Sequence, residues 1–157
     1  MNNKGINLIA LVIMIIIMII IAAIAYSNSF DAHEKALIAR EKEENMNVTN
    51  AIQNRFGEYM VNNTLNPLCG VIIPANTKET MNAYIINYLR EHDKLSTERR
   101  LEYESAIFDL LKQNEENLEY TRILERSHLV ELGIENIPTD AMYVVNYYGT
   151  TVVGPIY

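Results

Sequence analysis

The sequence predicts an α+β protein: a long N-terminal helix whose first half spans a membrane, then a small, mainly helical exterior domain ending in a β-hairpin. Three observations lead there. Residues 6–25 hold nineteen apolar side chains out of twenty, with Asn7 the only polar one. From Asp31 to about Val61 the apolar positions recur at helical spacing with no proline. After Ala141 the period changes to that of strands, with β-branched and aromatic residues on both sides of Tyr148-Gly149.

Taken in order, the apolar run comes first. As a helix, residues 6–25 would reach about 30 Å, roughly the hydrocarbon thickness of a bilayer. Only a helix or a closed barrel hides backbone polar groups there, and one isolated segment must be the helix. Lys4 is the one charged side chain before Asp31, and all 20 acidic side chains lie beyond it. That asymmetry predicts a single-pass protein of the cell membrane, with the N-terminus cytoplasmic and the C-terminal domain exterior.

Residues 26–61 are expected to continue the same helix as an amphipathic spine. Val48, Ile52, Phe56 and Met60 recur at four-residue spacing, while Glu41, Lys42, Glu43, Glu44 and Arg55 supply a wet face. Ser27-Asn28-Ser29 are poor helix formers and mark a place to bend. Apolar positions between Ala39 and Met46 are too sparse for sustained heptads.

Residues 62–157 form the exterior domain. Asn62-Asn63, Asn66-Pro67, Gly70 and Pro74 make a connector around Val71-Ile72-Ile73, with room for a small strand. A helix is predicted over 78–91, with Met81, Tyr84, Ile85, Tyr88 and Leu89 on one face. Ser96 or Thr97 caps the next helix, which runs to about Gln113. Residues 118–124 fit a strand and a helix equally badly. Ser127 starts a short helix that Gly133 ends as a left-handed cap. Residues 141–147 and 150–153 then make the hairpin, closed by Gly154-Pro155; alone it would be marginal in water, so it packs on the helices.

The formal net charge of −7, from 13 basic and 20 acidic side chains, argues against nucleic acid as a partner, since such binding needs Lys and Arg to displace counterions. Arg99-Arg100, the only adjacent basic pair, reads as a solvated helix face. Cys69 has no second cysteine to pair with and reads as a small buried apolar side chain. His33, His92 and His128 lack metal-ligand spacing, and there is neither a phosphate-cradling glycine loop nor a nucleophile elbow. Glu102 with Glu104, and Glu115 with Glu116, read as solvating charges. The sequence therefore predicts no enzyme, no cofactor and no metal.

The start of the chain is more specific. A short polar leader, residues 1–5, abuts the apolar run directly, and Gly5 offers an unhindered backbone to a protease. Lys4-Gly5-Ile6-Asn7-Leu8-Ile9-Ala10-Leu11-Val12-Ile13 resembles the processing site of type IV prepilins and type II secretion pseudopilins. It is most similar to the Gly-Ile-x-Leu-Ile-Ala-Leu-Val-Ile variant of Gram-positive bacteria. The resemblance covers about the first 25 to 30 residues.

The resemblance implies a pilin-like fold, a prepilin peptidase that cuts between Gly5 and Ile6, and N-methylation of Ile6. It also implies that Asn7, Leu8, Ile9, Ala10, Leu11, Val12 and Ile13 belong to the helix that packs first in lipid and then in a cell-surface filament. The implied partners are the peptidase, other pilin or pseudopilin subunits met through this helix, a membrane assembly platform and the lipid bilayer. Most members carry Glu at the fifth residue after the cut, where this chain has Ala10, so both a minor subunit and an Ala-bearing major subunit fit. Two other expectations stand beside it. One is a single-pass anchored protein whose exterior domain binds a partner without polymerising. The other is a secreted protein cut after Ala23-Ile24-Ala25.

Overall fold

The computed structural model describes residues 3–95, 99–136 and 140–157, and the side chains of these except at 3–10, 25, 27–29 and 31. In chain order the elements are helix α1 (Asn3–Val61), strand β1 (Val71–Ile72), helix α2 (Lys78–Glu91) and helix α3 (Arg100–Gln113). A 3₁₀ turn (Glu115–Tyr120), strand β2 (Thr121–Leu124), helix α4 (Arg126–Glu131), and strands β3 (Met142–Asn146) and β4 (Thr151–Ile156) complete the chain. It divides into two compact units, Met1–Arg40 and Glu41–Tyr157.

The described part of the first unit is the first portion of α1, whose backbone stays helical through Ser27-Asn28-Ser29, so the bend that the sequence allows there does not break it. The membrane-spanning first half is overturned. Among the described residues no helix is long and apolar enough to cross a membrane. Apolar side chains are described without a break only over residues 11–24, about 14 residues or ~21 Å of helix, against about 30 Å of hydrocarbon. From His33 onward Glu34, Lys35 and Arg40 enter the exposed surface. The expected single-pass, N-in placement in a cell membrane, and the cell-surface localisation built on it, are corrected by the same finding.

The second unit is built on a four-stranded antiparallel sheet in the order β1-β2-β3-β4. This corrects the expected mainly helical domain with a lone hairpin. Residues 121–124, ambiguous in sequence, are an inner strand that joins the short edge strand β1 to the hairpin β3–β4. Register places Ile123 opposite Val144 and Leu124 opposite Tyr143, so alternate residues serve opposite faces.

Both faces are covered, which makes three layers. On one, Ile123, Val144 and Ile156 join Met81, Ile85 and Leu89 of α2 and Ile107 and Leu111 of α3 in one core. On the other, Leu124, Tyr143, Val145 and Tyr147 pack with Val48 and Ile52 of α1 and Leu129 of α4. The α1 stripe predicted from sequence leaves this core as it goes outward. Val48 and Ile52 are fully buried, Phe56 is half-buried, and Met60 is 66% exposed.

Local chemistry fixes the helix ends. Thr77 caps α2 through a capping box with Thr80, satisfying donors that the first turn leaves open. α3 starts at Arg100 without a side-chain cap, and the expected caps Ser96 and Thr97 lie outside the described residues. α4 begins at Arg126, one residue before the expected Ser127, with Glu125 and His128 forming its capping box. It ends where Gly133 N–H bonds the Val130 carbonyl at 2.9 Å and Ile134 N–H bonds the Leu129 carbonyl at 2.9 Å. That paired closure needs a left-handed residue, and Gly133 supplies it at φ +80°.

Candidate functional site: the apolar first helix

Leu11, Val12, Ile13, Met14, Ile15, Ile16, Ile17, Met18, Ile19, Ile20 and Ile21 are all exposed, from 48% at Val12 and Ile15 to 67% at Met18. Consecutive residues point about 100° apart round a helix, so an unbroken run leaves no polar side. A helix apolar on every side is stable in water only when something covers it. Fully burying one such side chain is worth about 1.5–3 kcal/mol, so covering half of this run would release on the order of 10 kcal/mol before entropic costs. The stretch can therefore do one thing chemically: associate with other apolar surface.

The residues singled out from the sequence fall on this helix. Gly5 and Ile6, with Asn7, Leu8, Ile9 and Ala10, lie on helical backbone, and their side chains are outside the described set. Leu11, Val12 and Ile13 are described and point to solvent.

Elsewhere a cleft of about 450 Å³ is lined by His92, Lys94, Glu125, Arg126, Ser127 and Asp140 among others. Beside it the Tyr88 hydroxyl donates a short hydrogen bond to Glu125 Oε1. Burial first, and the Glu125 carboxylate second, push the Tyr88 phenol up to about 12. His92 stacks on the Tyr88 ring at 4.3 Å, and His128 Nδ1 accepts the Glu125 backbone N–H at 3.2 Å. Two histidines far apart in sequence are thus joined through Tyr88 and Glu125, a link that no spacing rule reveals. Among the described residues no group of three or more His, Cys, Asp or Glu could hold a metal ion.

The remaining candidates are accounted for by packing and pairing. Cys69 is buried, and burial pushes its thiol up to about 12, which keeps it protonated and unreactive at neutral pH. The Tyr147 hydroxyl donates to the Cys69 carbonyl at 3.0 Å. Arg99 pairs with Glu41 at 2.9 Å and Glu102 at 3.3 Å, and Arg100 pairs with Glu104 at 2.7 Å. Sequence reasoning missed Arg122, which sits in the unforeseen strand β2, and a cluster of rings from α1, the 3₁₀ turn and the β3–β4 turn.

Comparison with protein-family models, with curated proteins and with solved structures finds no match to the chain.

Proposed function

We propose that this chain is a structural subunit of a pilus-like filament, assembled by packing its first helix against the same helix of neighbouring subunits. The observation that carries this reading is the run of exposed apolar side chains from Leu11 to Ile21. The leader and the Gly5-Ile6 junction support the order of events. A prepilin peptidase removes residues 1–5, and the shortened helix then enters the bundle.

The work of assembly comes from outside the chain, through an assembly platform. The subunit's own contribution is apolar area, about 25 cal/mol for each Å² withdrawn from water, together with close packing of Ile and Met side chains. The role is mechanical rather than catalytic, and Ala10 keeps both the minor and the major subunit within it.

The test is Ile17→Asp in the full chain, with high-speed sedimentation and electron microscopy of material from producing cells. A buried unpaired carboxylate in a helix bundle costs several kcal/mol, so fibres should disappear while the second unit stays folded. Fibres of unchanged yield and shape would refute the reading.

A further inference from the structure

We infer that the ion pair between Arg99 and Glu41 is a clasp that closes the open edge of the sheet at β4. Strand β4 has a strand neighbour, β3, on one side only. At the opposite edge β1 has two residues, too few to template a further strand, whereas β4 has six. An edge of that length presents a row of backbone donors and acceptors to any extended chain.

The clasp follows from which face each helix covers. α1 packs on the sheet face that carries Leu124, Tyr143 and Val145, and α3 packs on the face that carries Ile123 and Val144. Side chains of these two helices meet only by passing round an edge of the sheet. Arg99, at the head of α3, donates from Nη1 to Glu41 Oε1 at 2.9 Å and from Nη2 to Oε2 at 3.5 Å. The edge they pass is that of β4. A groove of about 270 Å³ has among its walls Glu41 and Asn45 of α1, Arg99 and Tyr103, and Val153 and Gly154 of β4.

Arg99 is held in place for this contact. Its Nε donates to Glu102 at 3.3 Å, and its guanidinium lies over the Tyr103 ring at 5.0 Å. The Tyr103 hydroxyl in turn donates to the Pro155 carbonyl of β4 at 2.7 Å. Glu41 first, and Glu102 second, hold the Arg99 guanidinium above its usual pKa. A two-point bond of this kind suits the planar fork of Arg and not the single ammonium of Lys. Arg100, the next residue, pairs with Glu104 on its own helix and crosses no edge. Further along β4, Pro155 has no N–H to offer a further strand, so the clasp and the proline divide the edge between them. Thr151, Val152, Val153 and Gly154 are accordingly half-buried although their strand is outermost.

The pair is also built to open. Arg99 and Glu41 are 40% and 31% exposed, so water and salt reach them as they do not reach the core. Opening the pair bares the backbone of β4 without unfolding the sheet behind it. Both partners lie in the second unit, so the clasp is independent of the filament reading.

The test is amide hydrogen exchange, resolved strand by strand, in the full natural chain and in Glu41→Gln, Arg99→Lys and Arg100→Met. We expect Glu41→Gln to speed exchange at Val152, Val153 and Gly154 about fivefold relative to β2, Arg99→Lys to speed it less, and Arg100→Met to leave it unchanged. High salt should speed the same three amides in the natural chain, which reads the contact without any substitution. Unchanged exchange at β4 in Glu41→Gln overturns the inference. Exchange that quickens equally in every strand overturns it too, because the pair would then contribute to global stability and not to the edge. Either failure leaves the filament reading standing, and a chain that forms no fibres leaves the clasp standing.

Discussion

The Tyr103 hydroxyl donates a 2.7 Å hydrogen bond to the backbone carbonyl of Pro155, tying α3 to the end of the outermost strand. Both partners are internal to the second unit, and Tyr103 is buried. An edge strand with one strand neighbour needs such a tie from another layer. Tyr103→Phe keeps the ring and leaves a buried carbonyl without its donor. It should cost about 1–2 kcal/mol, read as a lower urea midpoint at unchanged slope.

The α1 stripe makes a paired prediction. Ile52 is fully buried between α1 and the sheet, and Met60 at the helix end is largely exposed. Ile52→Ala should cost about 2–5 kcal/mol in denaturant unfolding. Met60→Ala should stay within about 0.5 kcal/mol of the natural chain. Equal losses would place Met60 inside the core after all.

Two glycines should respond in opposite directions to alanine. Gly57 lies inside α1 with nothing near a built Cβ, so Gly57→Ala should stabilise by up to about 1 kcal/mol. Gly133 also has open space, yet its φ of +80° disfavours any Cβ, so Gly133→Ala should destabilise by about 1 kcal/mol. Thermal unfolding of the two variants checks both signs.

The link between α2 and α4 predicts an alkaline signature. Tyr88 titrates near 12 in the folded chain and near 10 when unfolded, because burial and the Glu125 carboxylate oppose its ionisation. A raised folded pKa contributes stability that is fully present below pH 10 and is lost as pH rises through 12. Tyr103 and Tyr147 shift in the same direction, so the decline is shared. Tyr88→Phe should make stability fall less steeply between pH 10 and 12, as followed by denaturant unfolding across that window.

Parts of this fold are legible in the sequence where one physical signal dominates. The face of α2 carrying Met81, Ile85 and Leu89 shows in the helical period, because one side meets the core and the other meets water. The strands after Ala141 show in their β-branched and aromatic residues. Strand β2 does not show, because Thr121, Ile123 and Leu124 are all buried and the alternation that marks a half-exposed strand is gone. The ring cluster has no sequence signal, since Phe56, Tyr120 and Tyr148 come from three separate segments that only the fold brings together. The run from Leu11 to Ile21 is plainly apolar, but apolarity alone did not decide what covers it.

The most direct test of the account is the intact mass and N-terminal sequence of the chain isolated from the cells that make it. The isolated chain is expected to begin at an N-methylated Ile6 and to be recovered in sedimentable fibres. A chain that retains Met1-Asn2-Asn3-Lys4-Gly5 and stays out of any fibre would contradict it.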